Sequence, residues 1–465
     1  MLTVQGHAVS RDCERLPRRD FLTAGALGLG GFSLPWLLQQ RAIAAASRAV
    51  YVRDKAVVLL FCGGGMSHIE SFNPRMDLPA PYCSATGEVK TNVPGLTLGG
   101  TFPLLARHAD KLAAIRNFRH PVGSHAQAIS HVLTGGTDPD GRGKDGFSIG
   151  SAYAKLRGTN HPVTGMPTYA LLLDEHRDPQ YRKEYSRVRT GSRPGPLGAA
   201  VAPFNPTGKG QALRNMQLNV PAGRLRERRA LLAEFNRLQR GLDGVADSYS
   251  QFERQAVELI TGGAGKAFDL SQEDPKLVAR YDTSMFRCGK KVFEPSDLGT
   301  LMLTARRLVE AGCGFVTVQS AGWDMHADGN NPGIVNGMQM LGPTVDKAVS
   351  AFLDDLADRG LADKVLLVVT GDFGRTPRIN NRGGRDHWAR LSTLAFFGGG
   401  IKTGQAVGKS DRQNGSPAGD SYDASNLFTT VLHVLFDVGE LRVARGVPAE
   451  LQKLIEDGQP IRELF

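Results

Sequence analysis

The segment of residues 365–388, VLLVVTGDFGRTPRINNRGGRDHW, most constrains what this chain can fold into. It opens with five apolar, uncharged residues and continues into Thr370, Gly371 and Asp372. This pattern is typical of a buried parallel strand that ends in a polar loop. Ligands of open α/β sheets bind at the carboxyl ends of the strands. We therefore expect Asp372, together with the later Asp386 and His387, to bind a divalent cation.

A second strand of this kind is predicted at residues 314–319, and Asp324 and His326 follow it. These two side chains can converge on one ion if their loop folds back. Residues 338–356 have apolar side chains at helical spacing and connect this strand to the one at 365–369. A right-handed strand-helix-strand crossover places both strand ends on the same edge of the sheet. We therefore expect Asp324 and His326 to lie near Asp372.

A third uncharged strand is predicted at residues 56–62, AVVLLFC, and it runs into a glycine triplet. Ser67, His68 and Glu70 follow, and glycines in such a turn allow the backbone to approach a ligand closely. A plain turn followed by solvated polar residues is the commoner origin of this pattern.

Three further segments give local predictions. Residues 126–135, AQAISHVLTG, predict a helix that begins near His125, which is then a metal ligand, an acid or base, or a helix cap. Residues 98–118 also show helical spacing. Residues 182–210 are rich in Arg, Pro, Gly and Ser without periodicity, which predicts a long surface excursion. It is either a substrate-facing lid or a loop without a role.

The first 46 residues predict export. They contain Arg18 and Arg19 followed by Phe-Leu, then a weakly hydrophobic run, and they end in three alanines. This resembles a signal for the twin-arginine translocase, although a short membrane anchor or a disordered basic arm would look similar. We therefore predict a signal peptide at residues 1–46, a single domain at 47–465, and a periplasmic or secreted location. The mature part has no run of about eighteen apolar residues and is not expected to be membrane-embedded.

The net charge of +10 favours anionic partners, but residues of both signs are interleaved. The sequence has no basic patch with interleaved aromatic residues, which argues against binding to nucleic acid. Cys62 and Cys313 lie in apolar segments and are expected in the core. Cys83 and Cys288 could form a disulfide, but the sequence does not decide the connectivity.

Six segments follow one another in the order found in a known bacterial family: GGGMSHIESFNPR, SHAQAISHVLTGG, TARRLVEAGCGFVTV, GWDMHAD, GDFGRTPRINNRGGRDHW and GGGIKTGQAVG. Through them the chain resembles the family catalogued as domain of unknown function 1501. The resemblance implies an alkaline phosphatase-like fold, which has three α/β/α layers and a mostly parallel sheet. It also implies the hydrolysis of phosphate or sulfate esters with a divalent metal, which would be zinc, calcium or manganese.

The resemblance also suggests roles for single residues. Asp372 resembles a metal carboxylate of the superfamily, although Phe373 stands where a histidine usually follows. Asp324 and His326 resemble the upstream metal cluster, and His387 resembles the last histidine ligand. Asp386 would be a ligand or an orienting neighbour, and Glu70 stands where the family usually has Asp. The candidate metal ligands are therefore Asp324, His326, Asp372, Asp386, His387, His68 and Glu70.

The candidate nucleophile is less defined. The segment HAQAISHVLTG resembles the sulfatase segment that begins with the cysteine converted to formylglycine, and His125 stands at the position of that cysteine. Formylglycine chemistry is therefore not expected. Either Ser124 or Ser67 is the nucleophile, or His125 forms a phospho-intermediate or acts as a general base, or there is no covalent step.

Three functional interpretations follow. The first is an exported metal-dependent hydrolase of phosphate or sulfate esters, in which Arg375, Arg378 or Arg385 clamps the anionic group. The second is a non-catalytic periplasmic protein of the same fold that binds a metal or an anionic glycan. In both, the expected partner is an anionic ester or a sulfated or phosphorylated glycan. The third treats residues 374–388 as a structural loop whose Arg and Asp side chains pair with one another.

Overall fold

The computed structural model describes residues 50–138, 141, 146–173, 179–206, 224, 227 and 264–465. The predicted signal peptide lies outside the described residues. The compact unit considered below comprises residues 51–443 and 447–465.

The strands of this unit are numbered in chain order. They are β1 (Ala56–Cys62), β2 (Glu88–Lys90), β3 (Thr97–Gly99), β4 (Leu112–Ile115), β5 (Tyr169–Leu172), β6 (Arg287–Cys288), β7 (Glu294–Pro295), β8 (Phe315–Ser320), β9 (Val365–Gly371), β10 (Gly374–Arg375), β11 (His387–Trp388), β12 (Leu394–Gly398) and β13 (Gln405–Val407). Seven of them form one sheet in the order β13-β4-β12-β9-β1-β8-β5. Within this sheet β12 is antiparallel to both of its neighbours, and the other strands share one direction. The predicted α/β fold with a mostly parallel sheet is therefore confirmed.

Helices cover both faces of the sheet. They are α1 (His125–Leu133), α2 (Ile149–Arg157), α3 (Arg182–Gly191), α4 (Pro275–Tyr281), α5 (Leu298–Glu310), α6 (Ile334–Asp358), α7 (Ala424–Leu435), α8 (Val438–Val443) and α9 (Ala449–Asp457). Helices α5 and α6 contact each other on one face, and α2 and α7 contact each other on the opposite face. The result is three layers, helix, sheet and helix.

The central strand β1 explains why its sequence is apolar without alternation. All seven of its residues are buried. Leu60 joins the core that includes Met302 and Leu341 of the helices α5 and α6. Val57 and Leu59 are also buried, and they point to the other face because side chains alternate along a strand. A strand covered on both faces has no position for a polar side chain.

The predicted crossover is present: β8 is followed by α6 and then by β9, and both strands run parallel to β1, which lies between them. The loops that follow β1, β8 and β9 therefore leave the sheet at the same edge. These loops carry the polar segments singled out in the sequence.

The helix predicted at residues 98–118 is wrong. Strand β3, a 3₁₀ helix at Leu105–Lys111 and strand β4 occupy this stretch instead. The four residues of β4 are buried and pair with β12 on one side and β13 on the other. Long-range pairing therefore outweighs the local helical spacing.

The excursion predicted at residues 182–210 differs from the structure in its first part. Helix α3 covers Arg182–Gly191 and contacts α1, and it buries Tyr185 and Val188, which are three residues apart. Short 3₁₀ turns follow at Gly195–Leu197 and Ala199–Val201. Residues 207–210 lie outside the described part of the chain.

Cys62 and Cys313 are buried free thiols, as expected. The possible disulfide between Cys83 and Cys288 is not formed in the structure. Within the described residues, every helix is too short or too polar to cross a membrane.

We expect Leu60→Ala to lower the free energy of unfolding by about 3 kcal/mol, because truncation of this fully buried side chain leaves a cavity. Chemical denaturation followed by circular dichroism measures the change. Val443→Ala is the control, since Val443 is 77% exposed and its truncation should change stability by less than about 0.5 kcal/mol. Equal losses in the two variants would contradict the central position of β1.

Candidate metal centre

Asp372 is the first residue after β9, and its side chain is fully buried. Its Oδ1 accepts hydrogen bonds from the backbone N–H groups of Gly64 at 2.9 Å and Gly65 at 3.0 Å. Its Oδ2 accepts a hydrogen bond from Nδ1 of His125 at 2.5 Å. Each carboxylate oxygen thus has partners that compensate for its removal from water.

Gly64 and Gly65 are required for this arrangement. Their φ angles are +106° and +88°, in a region that residues with a side chain rarely adopt. A Cβ at Gly64 would lie 2.6 Å from the backbone nitrogen of Asp324, and one at Gly65 would lie 2.8 Å from the ring of Phe373. The glycine turn therefore binds a carboxylate of the chain itself.

Asp324 lies in the loop after β8 and contacts three histidines. Its Oδ2 is 3.3 Å from Nε2 of His125 and 3.1 Å from Nε2 of His326. Its Oδ1 is 3.3 Å from Nε2 of His387. The structure thus brings together three segments that the sequence singled out, and His125 links Asp324 to Asp372.

The cluster is accessible from solvent on one side. The exposed fraction of the side chain is 13% for Asp324, 14% for His125, 20% for His326 and 32% for His387. Asp372 has none. The histidines therefore form the outer part of the cluster, and Asp372 forms its base.

The charges in the cluster depend on one another. Burial would lower the pKa of His125, but its hydrogen bonds to Asp324 and Asp372 outweigh burial and raise the pKa to about 9. Burial would raise the pKa of Asp324, but the three histidines and Arg375 hold it well below its usual range. The hydrogen bond to Asp324 also raises the pKa of His326. Without a metal, the carboxylates therefore stabilise the protonated forms of His125 and His326.

The donor set fits a divalent cation. One nitrogen each of His125 and His387 and one oxygen of Asp324 lie within 4.8 Å of one another. The ligand atoms of a tetrahedral zinc ion are about 3.4 Å apart. Nε2 of His125 lies 3.3 Å from Oδ2 of Asp324, and Nε2 of His387 lies 3.3 Å from Oδ1 of the same carboxylate. A cation can replace the histidine protons that these carboxylates stabilise. Two imidazoles and one carboxylate suit zinc, whereas calcium prefers oxygen ligands throughout.

Arg375 is fully buried, and its guanidinium contacts several groups of the chain itself. Its guanidinium donates to the carbonyl oxygens of Gly64, Gly65, Trp323 and Arg385. Its Nη2 also donates a hydrogen bond to Oδ1 of Asp324 at 2.8 Å. Arg375 therefore positions Asp324, and because it is fully buried it is not placed to clamp a substrate.

Ser67 and Glu70 belong to a different buried network, around Arg385. Glu70 and Arg385 are both fully buried and form an ion pair at 3.0 Å. The Ser67 hydroxyl donates to Oε2 of Glu70 at 2.5 Å. Arg385 also donates to the backbone carbonyls of Pro81, Cys83, Thr376 and Pro377. These contacts connect two loops, and among the described residues none joins Ser67 or Glu70 to the histidine cluster.

The remaining candidates are also placed outside the cluster. His68 is buried, and its Nε2 donates to the carbonyl of Asn414 at 3.1 Å. Asp386 is exposed, and its Oδ1 accepts from Asn380 at 3.0 Å. Ser124 is exposed just before α1, and its hydroxyl donates to Gln127 at 2.9 Å. Arg378 is exposed and donates to the hydroxyl of Tyr82.

Two residues at the site were not assigned a role from the sequence. His120 is buried and donates through Nε2 to the backbone carbonyl of Asp372 at 2.5 Å. Burial and the charge of His131 lower its pKa to about 4, so it is neutral. The ring of Phe373 packs at 4.9 Å from that of His125 and 4.5 Å from that of His387. In the sequence, the feature that could have drawn attention to His120 is its position five residues before His125.

The family model described as "Protein of unknown function (DUF1501)" matches residues 54–465. The chain belongs to the DUF1501 family. No curated protein matches this DUF1501 chain.

Solved structures with a partial likeness to this DUF1501 chain include three enzymes. The lipoteichoic acid synthase LtaP of Listeria monocytogenes is 11% identical, with 85% of this chain and 77% of that chain covered and a TM-score of 0.36. The phosphonate monoester hydrolase SpPMH of Silicibacter pomeroyi is 13% identical, with 88% and 76% covered and a TM-score of 0.40. The PsFucS1 sulfatase of Pseudoalteromonas sp. is 12% identical, with 85% and 71% covered and a TM-score of 0.34.

For the DUF1501 chain we expect Glu70→Gln to lower the free energy of unfolding by about 3–5 kcal/mol, because it leaves the Arg385 guanidinium buried without its carboxylate. Asp358→Asn is the control: it breaks an exposed ion pair with Arg280, which should cost less than about 1 kcal/mol. Thermal and chemical denaturation measure both changes. A Glu70→Gln variant as stable as Asp358→Asn would show that Glu70 is not structural.

We also expect the stabilisation from His125 to depend on pH in the chelator-treated protein. The pKa of His125 rises from 6.5 to about 9 on folding, so its contribution is complete below pH 6.5 and is lost as the pH rises through about 9. The difference in unfolding free energy between wild type and His125→Gln should therefore fall by up to about 3 kcal/mol across this range. A difference that stays constant between pH 6 and pH 9.5 would contradict the two-carboxylate contact.

Proposed function

We propose that this DUF1501 protein is an exported, metal-dependent hydrolase of phosphate or sulfate esters that works without formylglycine. The observation that carries the proposal is the cluster of His125, His326 and His387 around Asp324, which is open to solvent at the carboxyl edge of the sheet. This edge is where open α/β sheets bind ligands. A cluster of perturbed ionisable groups at such a place is a strong candidate for a reaction centre.

Asp324, His125 and His387 would hold the metal, and zinc suits this donor set best. When bound there, a divalent ion withdraws charge from an ester oxygen and lowers the pKa of an attacking water. Asp372 is best suited to hold the ring of His125 through Nδ1, which leaves Nε2 directed at the metal position. In this assignment Asp372 acts through His125, although the sequence suggested it as a direct ligand.

His326 is suited to supply a proton. Its Nε2 contacts Asp324, its side chain is 20% exposed, and the contact raises its pKa. The contact with Asp324 stabilises the protonated form of His326, which can donate its proton to the leaving oxygen as the ester bond breaks. Arg375 keeps Asp324 in position during this step, because its guanidinium is fixed by backbone carbonyls.

A water nucleophile fits better than a serine. The Ser67 hydroxyl is buried and donates to Glu70, and the Ser124 hydroxyl donates to Gln127. His125 occupies the position where formylglycine would arise, and it cannot form that group. Hydrolysis would thus proceed in one step, in which water adds to phosphorus or sulfur and the alcohol leaves with a proton.

The hydrogen bonds of Ser67 and Ser124 also favour a second candidate function. Since both serine hydroxyls are already engaged, the cluster is also consistent with a non-catalytic protein that binds a metal or an anionic glycan. Export by the twin-arginine translocase to the periplasm or the exterior is part of either proposal, and it is supported by the sequence of residues 1–46.

We expect the full-length protein, purified without chelator, to contain about one divalent metal ion per chain, most readily zinc. Asp324→Asn and His387→Ala should lose this metal, because the first replaces the negatively charged ligand by a neutral amide and the second removes a ligand nitrogen. Elemental analysis by mass spectrometry measures the content. Asp358→Asn is the matched control, since it makes the same chemical change at an exposed position of α6.

Turnover of p-nitrophenyl phosphate and p-nitrophenyl sulfate should disappear together with the metal in these variants. A wild type that folds, contains no metal and takes up none on reconstitution would rule out the hydrolase proposed here. A metal-containing wild type that leaves a broad panel of esters intact would instead identify a binding protein.

A further inference from the structure

A second polar cavity opens beside the chain segment that follows β1. Its volume is about 460 Å³, and its lining includes Asn73, Arg75, Arg116 and Lys409. This volume falls within the range of sites for small organic ligands and is much larger than a single inorganic anion requires. The cavity does not include any residue of the histidine cluster.

The cavity lies at the same edge of the sheet as the histidine cluster. Arg116 directly follows β4, and Lys409 comes two residues after β13. Both strands run in the same direction as β9, so their carboxyl ends share an edge with Asp372. Only β12 separates β4 from β9 in the sheet, which corresponds to a lateral distance of about 10 Å between these two strands.

Arg116 carries a positive charge that no carboxylate compensates directly. Its Nε donates to the carbonyl of Phe72 at 3.0 Å and its Nη2 to the carbonyl of Thr97 at 3.4 Å. In the part of the chain that the structure describes, it forms no ion pair. Burial and the nearby charge of Arg75 lower its pKa to about 10, and they outweigh the opposite effect of Asp77 and Glu88.

The other charges of the cavity leave Arg116 available. Arg75 is bound at both Nε and Nη2 by the carboxylate of Asp77, at 2.8 and 2.9 Å. Its Nη1 donates to the hydroxyl of Ser410 at 3.1 Å. Lys409 and Glu88 are both exposed, and neither forms an ion pair among the described residues. Because Arg75 neutralises Asp77, the lining sets two cations without an ion pair among the described residues, Arg116 and Lys409, against one such carboxylate, Glu88.

The neutral part of the lining suits a hydroxyl-rich ligand. Asn73, Thr97 and Ser410 contribute amide and hydroxyl groups, and Met76 is the one large apolar side chain of the lining. An anionic ligand with several hydroxyl groups matches both the charge and the size of the cavity.

We propose that this cavity binds a second anionic group of the substrate, a sulfate or phosphate carried by a glycan, through Arg116 and Lys409. That this ligand is a substrate rests on the hydrolase function proposed above. The cavity and its charges are independent of that function. One acidic group of the glycan would then sit at the histidine cluster while a neighbouring one is held in the cavity. The preferred substrate is accordingly a glycan with more than one anionic group.

The test measures binding to the full-length protein by titration calorimetry, with a sulfated hexasaccharide, its desulfated form and inorganic sulfate as three separate probes. Lys409→Glu should weaken binding of the sulfated hexasaccharide by about tenfold or more, because it replaces attraction with repulsion. Lys453→Glu makes the same charge change at an exposed position of α9 and should leave the affinity within about twofold. Arg116→Gln should weaken binding at least as much as Lys409→Glu.

If Arg116→Gln fails to fold, Lys409→Glu decides, because Lys409 is exposed and makes no ion pair among the described residues. Equal weakening by Lys409→Glu and Lys453→Glu would overturn the proposal, since bulk charge would explain both. Tight binding of the desulfated form, or of inorganic sulfate alone with no gain from the glycan, would also overturn it.

Hydrolysis of p-nitrophenyl sulfate and phosphate separates this proposal from the previous one. These esters carry one anionic group each and are too small to reach both sites, so their turnover tests the histidine cluster alone. A wild type that hydrolyses neither ester but binds the sulfated hexasaccharide with the expected difference between Lys409→Glu and Lys453→Glu would support the cavity while refuting the hydrolase.

Discussion

The buried carboxylate of Asp372 is the interaction on which the rest of the site depends. An ionised carboxylate that is removed from water must have its oxygens satisfied. Two backbone amides satisfy one oxygen, and His125 satisfies the other. These three contacts tie together the end of β9, the turn after β1 and the start of α1. His125 is thereby directed at Asp324, and the other histidines meet there.

The arginines of the loop after β9 show how such a site is kept rigid. Arg375 and Arg385 are both fully buried, and each donates to backbone carbonyls and to one carboxylate, Asp324 and Glu70 respectively. A loop rich in Arg and Asp can thus serve mainly to fix its own shape. Of the three functional interpretations, the one that treats this loop as structural describes these two arginines well. It does not account for the partly exposed histidines, which is why we favour a ligand at the cluster.

Much of the fold could be predicted because its strongest signals are local. The uncharged strands β1, β8 and β9 and the amphipathic helices α1, α5 and α7 each have a pattern that one segment carries alone. Strand β4 could not be predicted, because its four residues become a strand only by pairing with β12 and β13. The contents of the site were recognisable for a similar reason. His125 begins α1, and Asp324 and His387 lie in the segments that follow β8 and β9, where polar residues are conspicuous.

The partners of individual residues could not be predicted. Glu70 and Asp372 both follow buried strands, yet Glu70 pairs with Arg385 while Asp372 meets two glycine amides. The choice depends on how the loops pack against one another, which no single segment encodes. His120 shows the same point, since its importance comes from one carbonyl that lies 252 residues further along the chain.

The distance along the chain between these contacts has a consequence for biosynthesis. Gly64 and Asp372 are 308 residues apart, and β1 obtains both of its neighbours only after β8 and β9 have been made. The nascent chain must hold an apolar strand without partners until most of its sequence has been translated. Folds dominated by such distant pairings assemble slowly and need protection from aggregation meanwhile. The histidine cluster is therefore among the last parts of this protein to form.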